Sequence, residues 1–81
     1  MQDALVVFAS LTAANRVKAI LAQEYTVKST VMQTPKALAL AGCSYCIKAN
    51  QSHVDLILDI IKKMGVSTKG AYSATDYAKI R

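Results

Sequence analysis

The stretch ALVVFA, residues 4–9, decides the fold of this 81-residue chain. It is too short for a good helix and rich in residues that favour β-structure, which predicts a strand buried on both faces. We place it at the centre of a sheet as the first strand. A chain of this length has room for one core, so residues 1–81 are expected to form a single domain, with a core over about 4–73 and a tail over 74–81.

Two segments outside this strand show helical spacing. In the first, Ser10 or Thr12 can cap a helix that ends near Glu24. In the second, Ser52 is the expected cap and Gly65 the left-handed C-terminal stop. The apolar face of the first helix consists of Ala14, Val17 and Leu21, with Ile20 as a further candidate, and that of the second of Val54, Ile57, Leu58, Ile61 and Met64.

The other periodic segments alternate as strands do. Residues 25–32 show the period-two pattern of a half-exposed strand, residues 44–49 predict a third strand and residues 69–73 a short last one. The tail is expected to be frayed or only locally helical. The order β, α, β, connector, β, α, β predicts an α+β fold: a ferredoxin-like split βαβ sandwich, with two helices on one face of a four-stranded antiparallel sheet.

The connector QTPKALALAGCSYC, residues 33–46, is long and unusually apolar for a link between two strands, so we expect it to pack against the protein. Thr34 before Pro35 is typical of a cap followed by proline at the first helical position. One or two helical turns over residues 36–40, closed by Gly42, are therefore expected.

Cys43 is the candidate reactive thiol. A thiol becomes nucleophilic as the thiolate, which forms more readily near cationic side chains than in an apolar pocket. Gly42 gives Cys43 an open approach, and Lys36 and Lys48 are the nearby cations that would favour a thiolate or an anionic persulfide.

The role of Cys46 depends on the backbone between the two cysteines. In a turn the two sulfurs would lie close enough to alternate between dithiol and disulfide. In a strand, positions i and i+3 lie roughly 10 Å apart and point to opposite faces, so Cys43 would act alone and Cys46 would be buried or face a partner. The alternation of Tyr45, Ile47 and Ala49 favours the strand.

Composition and charge argue against several classes of function. The chain has a net charge of +5, but its basic residues are scattered, which predicts a solvated surface rather than a nucleic-acid interface. Two cysteines and the single His53, expected at the surface, are too few for a zinc site, so we expect neither metal nor cofactor. We also expect no membrane span, no signal peptide and a cytoplasmic location. A homodimer through a sheet edge or face is compatible with so small a domain.

Several of these segments together resemble the selenium/sulfur (Se/S) carrier-like family of small bacterial proteins. The resemblance rests on FAS at residues 8–10, on KMGV at residues 63–66 and above all on TPKALALAGCSYC at residues 34–46. It covers about residues 4–73. Lys36 stands where the family usually has arginine, and Ser44 where it usually has glycine.

The resemblance implies a carrier protein rather than a stand-alone enzyme. Cys43 would accept sulfur or selenium as a persulfide or selenopersulfide and pass it to a partner enzyme, with Cys46 as an auxiliary or resolving thiol and Lys36 as an electrostatic helper. The donor would be a protein such as a cysteine desulfurase.

Two other functions are consistent with the residues themselves. The chain could be a non-enzymatic interaction or regulatory domain, in which both cysteines only pack, because free cysteine is among the most buried residue types. Alternatively, Cys43 and Cys46 could bind a metal or form a redox pair.

Overall fold

The computed structural model describes residues 2–38, 44–66 and 68–80. Its four strands form one sheet in the order β2-β3-β1-β4, with every neighbouring pair antiparallel. The two helices pack on one face, which confirms the α+β, ferredoxin-like sandwich. The elements are β1 (Asp3–Phe8), α1 (Leu11–Glu24), β2 (Thr30–Gln33), β3 (Tyr45–Asn50), α2 (Val54–Met64) and β4 (Gly70–Ser73).

Strand β1 lies at the centre of the sheet, between β3 and β4. Val6 and Phe8 pack beneath the helices, whereas Leu5 and Val7 point to the opposite face. All four side chains are at most 2% exposed, which confirms a strand buried on both faces. β1 is therefore held by two apolar layers, one on each face of the sheet. Burying one apolar side chain of this size contributes about 1.5–3 kcal/mol.

Helix α1 begins and ends as predicted. Ser10 Oγ accepts a hydrogen bond from Ala13 N at 3.4 Å, so Ser10 rather than Thr12 is the cap. At the other end, Val27 N donates to Leu21 O at 2.9 Å and closes the last turn. Ala14, Val17 and Leu21 are buried as predicted, and the further candidate Ile20 is partly buried against the same core.

Helix α2 begins differently from the prediction. Asn50 Oδ1 accepts from Ser52 N at 2.9 Å and caps a short 3-10 helix (Gln51–His53), and α2 follows at Val54 without a side-chain cap. The prediction that Ser52 caps this helix was wrong, because the chain already turns where β3 ends. Gly65, with φ of 70°, is the left-handed stop that was predicted. The buried residues are Val54, Ile57, Ile60 and Ile61. Leu58 and Met64 of the predicted face are only half-buried, and Ile60 takes a buried position that was not predicted.

The second strand is shorter than the alternation predicted. Strand was expected from Tyr25, whereas β2 begins at Thr30. Thr26 has a φ of +55°, and the backbone of Val27 is committed to closing α1. The backbone conformation at the end of α1 therefore prevents residues 25–29 from forming the strand that their alternation predicted.

The tail after Ser73 folds back on β4 instead of fraying. Ser73 N donates to Ala78 O at 2.8 Å, and Ile80 N donates to Ala71 O at 2.7 Å. Ile80 also packs against the helix-side core. The tail thus pairs with the outer edge of β4, while β2 has no second neighbour among the described strands.

We predict that Phe8→Ala lowers the free energy of unfolding by about 3–5 kcal/mol, because it opens a cavity at a side chain that is fully buried between sheet and helices. Urea denaturation followed by circular dichroism measures the change. Leu11→Ala is the matched control, since Leu11 is 42% exposed and its truncation should cost about 0.5 kcal/mol or less. Equal losses in the two variants would contradict the assignment of Phe8 to the core.

Candidate functional site

The sheet face opposite the helices carries a second, smaller apolar cluster, centred on Cys46. Leu5, Val7 and Cys46 are each at most 2% exposed. We call these residues, with the side chains that cover them, the open-face cluster. The covering side chains are Met32, Leu38, Tyr72 and Ala74.

Cys46 lies in the strand that the alternation predicted. In the sheet register it stands between Val7 of β1 and Met32 of β2. Strand β3 includes Tyr45, so the backbone immediately before Cys46 is extended rather than turned. Cys46 is a free thiol with 0% exposure. The interpretation of Cys46 as a buried strand residue is confirmed.

Burial raises the pKa of the Cys46 thiol above its ordinary value, because the thiolate would lose its hydration. The hydroxyl of Thr34 opposes this increase, since a donor near sulfur stabilises the thiolate. Thr34 Oγ1 nevertheless has no hydrogen-bond partner at standard distance and angle within the described part of the chain. Burial is therefore the dominant effect on this thiol.

The two ends of the connector are joined at the sheet. Thr34 N donates to Ser44 O at 3.0 Å, and both residues are buried, with exposures of 6% and 2%. Between them, Leu38 N donates to Pro35 O at 2.9 Å in a single turn, and the Leu38 side chain packs on the open-face cluster. The expectation that the apolar connector packs against the protein is met by Leu38.

Cys43 and Gly42 lie outside the described residues, so the predicted reactivity of Cys43 stays a prediction. Its chain neighbour Ser44 is buried and anchored by the hydrogen bond to Thr34. The helical turns predicted over residues 36–40 are described as far as Leu38, where they form a turn.

The two candidate cations differ in their surroundings. Lys36 is exposed in the connector turn. Lys48 lies two residues after Cys46 in β3 and therefore on the same sheet face, where its Nζ is 3.9 Å from Asp3 Oδ2. The side chains of Lys48 and Asp3 are each about half exposed, so this ion pair contributes little to the stability of the fold.

Sequence reasoning missed the part that Thr34 plays at the thiol. It identified Thr34 only as a cap, whereas the side chain is buried beside Cys46. The position of Thr34 could have indicated this contact. Thr34 lies between an alternating strand and a proline, at the start of a connector that leads back into the same sheet.

His53 and the acidic residues do not extend the site. His53 is half-buried rather than at the surface, and its Nδ1 has no hydrogen-bond partner in the described structure. Among the described residues, no group of three or more His, Cys, Asp or Glu side chains could hold a metal ion. A site built from Cys43 and Cys46 remains a prediction, because only one of them is described. None of the described helices has the length and apolar character needed to cross a membrane.

Comparison with known proteins assigns the chain to a family. The model of a protein family described as "Putative Se/S carrier protein-like" matches residues 3–73. This range begins with the first residue of β1 and ends with the last residue of β4, so it contains the whole sheet, both helices and both cysteines. Neither the curated proteins nor the solved structures include a significant match.

We predict that Cys46 resists alkylation in the native protein. In the Cys43→Ser variant, which isolates Cys46, iodoacetamide should react at least about 100-fold more slowly at pH 8 than in 8 M urea, because the thiol is buried and its pKa is raised. Mass spectrometry of timed samples gives the two rates. Rapid native labelling would contradict the burial of Cys46.

The raised pKa of Cys46 also predicts how stability depends on pH. The thiol ionises at lower pH in the unfolded chain than in the folded one, so its contribution is fully present below the ordinary value of 9.0 and is lost as the pH rises towards the folded pKa. We expect the free energy of unfolding of the wild type to fall relative to that of Cys46→Ala between pH 8 and pH 10.5. Parallel curves in paired urea titrations would show that burial does not shift this thiol.

Proposed function

The chain belongs to the Se/S carrier protein-like family, and on that basis we propose that it carries sulfur or selenium on the thiol of Cys43. The observation that most supports this choice of residue is the seclusion of Cys46. The chain has two cysteines, and Cys46 is fully buried in β3 with a raised pKa. A first acceptor has to meet a donor protein at the surface, which leaves Cys43.

The loading step transfers one sulfur atom from the persulfide of the donor to the thiolate of Cys43. The Cys43 thiolate attacks the terminal sulfur of a persulfide on the donor, the S–S bond of the donor breaks, and the donor cysteine leaves as thiolate. Cys43 then carries the persulfide, and no external oxidant or reductant is consumed. The selenium reaction is the same exchange with a terminal selenium atom.

Delivery follows by one of two routes. In the first, a nucleophile of the acceptor enzyme attacks the terminal atom, and the Cys43 thiolate leaves. In the second, the Cys46 thiolate attacks the inner sulfur, hydrosulfide or hydrogen selenide leaves, and a disulfide joins the two cysteines, which a cellular dithiol must later reduce. We propose the auxiliary role for Cys46 on this second route.

The burial of Cys46 makes the second route conditional. Its sulfur lies in the open-face cluster, beneath the side chains that include Leu38 of the connector. The Cys46 thiolate is disfavoured in this apolar environment, because burial raises the pKa of the thiol. A persulfide on Cys43 would therefore persist until the connector moves, as a carrier requires.

Lys36 is proposed as an electrostatic helper of the anionic persulfide. Its ammonium group is exposed in the same connector. Attraction between exposed charges is worth at most about 1 kcal/mol in water, so the effect on loading is expected to be a few-fold rather than decisive. Lys62, exposed at the end of α2, provides a matched control for removal of one positive charge.

The proposed donor is a protein that presents a persulfide on its own cysteine, such as a cysteine desulfurase, and the acceptor is an enzyme that uses the transferred atom. The described part of the chain offers a small scaffold and no cluster of His, Cys, Asp or Glu side chains that could hold a metal ion. This supports a carrier over a stand-alone enzyme.

We predict that a cysteine desulfurase with ³⁵S-cysteine loads the wild-type protein and not Cys43→Ser. Cys46→Ala should accept as much label as the wild type and hold it longer, because it lacks the resolving thiol. Label is followed on non-reducing gels and by intact mass spectrometry, which should show one added sulfur of about 32 Da. No label on the wild type, or equal label on Cys43→Ser, would overturn the proposal.

A second function is favoured by one observation, the packing of Cys46 as a small apolar residue between Val7 and Met32. A non-enzymatic interaction domain would use both cysteines only in this way. The Cys43→Ser/Cys46→Ala variant then keeps its function in cells, whereas the carrier proposal requires that function to be lost. Alanine is used at position 46 because a buried serine hydroxyl without a partner would itself destabilise the protein.

A further inference from the structure

The chain joins the sheet only at Thr30, and this late start of β2 leaves a gap beside β3. Ala49 and Asn50 pair with β1 on one side, but the β2 pairing ends at Lys48, which stands opposite Thr30. Residues 26–29 diverge from the sheet at this point. A groove of about 890 Å³ opens between this segment, the second half of α1 and the end of β3. Its volume falls within the range of roughly 300–1,000 Å³ that is usual for small-molecule sites.

The groove is positively charged. Lys18 of α1, Lys28 of the diverging segment and Lys48 of β3 all line it, against the single carboxylate of Asp3. Lys48 lies 3.9 Å from that carboxylate, whereas Lys18 and Lys28 form no ion pair within the described part of the chain. The lysines come from three separate elements, so it is the fold that brings these scattered charges together.

Polar and apolar groups complete the walls of the groove. Ser29 belongs to its lining, and Ser29 Oγ is buried with no hydrogen-bond partner in the described structure. A buried hydroxyl without a partner costs free energy, and a missing bound group is one physical reason for such an atom. Ala22, Val27 and Ala49 supply apolar surface nearby.

We propose that this groove, to which nothing in the carrier function assigns a role, binds a small phosphorylated molecule. Lys18 and Lys28 attract the phosphate dianion, and Ser29 donates to one of its oxygens after a change of rotamer. A phosphate monoester suits several ammonium groups and a hydroxyl better than a single carboxylate does, because it offers more acceptor oxygens. The apolar wall accommodates the organic part of the ligand.

In β3 the lining of the groove begins past Cys46. Lys48, Ala49 and Asn50 follow Cys46 by two to four residues, which is roughly 7–13 Å of extended strand. Phosphate binding can therefore be measured in a protein whose cysteines have both been replaced. Failure of one proposal leaves the other unaffected.

The test is a titration of the ¹⁵N-labelled full-length chain with glycerol 3-phosphate at low ionic strength, followed by amide chemical shifts. We expect saturable shifts that concentrate on residues 26–30 and 48–50. Lys18→Gln/Lys28→Gln should weaken binding at least about tenfold. Lys62→Gln/Lys69→Gln, which removes two exposed charges outside the groove, should leave binding within about twofold of the wild type.

Ser29→Ala separates a binding role from a structural one. The substitution removes an unpartnered hydroxyl, so it should leave thermal stability unchanged or slightly higher while it lowers the affinity for glycerol 3-phosphate several-fold. Three results would overturn the proposal. They are equal losses in both lysine pairs, shifts spread over the whole surface, and binding of succinate as tight as that of glycerol 3-phosphate.

Discussion

The structure depends on the burial of β1 on both faces. β1 pairs with β3 on one edge and with β4 on the other, and the register Val7–Cys46 fixes which residues of β3 share its faces. Because side chains alternate along a strand, a slip of one residue in that register would move Cys46 from the open face to the helix side. The environment of the buried thiol is therefore set by the packing of a strand that carries no reactive group.

β1 is apolar on both faces, but the two helices cover only one of them. Leu5 and Val7 would be exposed on the other face, and here the connector contributes Leu38 as part of their cover. This accounts for one apolar residue of the segment between β2 and β3. The same residue lies over the cluster that contains Cys46.

The two ends of β3 have different chemical characters. At its start, Ser44 is held to Thr34 and the thiol of Cys46 is enclosed by apolar side chains. At its end, Ala49 and Asn50 border a gap in the sheet lined by lysines. The gap exists because Thr26 and Val27 close α1 before the chain can join the sheet at Thr30. The end of α1 thus shapes a groove whose other walls, Asp3 and residues 48–50, come from distant parts of the sequence.

The sequence by itself determined the features that depend on local patterns. The apolar run of β1, a cap at Ser10 or Thr12, most of the apolar faces of the helices and the stop at Gly65 were predicted, since spacing and single-residue geometry suffice for them. The TPK segment and the two cysteines also identified the family. Tertiary structure decided the rest: where β2 begins, that Asn50 rather than Ser52 forms the cap, that the tail pairs with β4, and that Thr34 lies beside Cys46. These features join residues that are distant in sequence or depend on where one element ends against another, and local periodicity carries no information about such contacts.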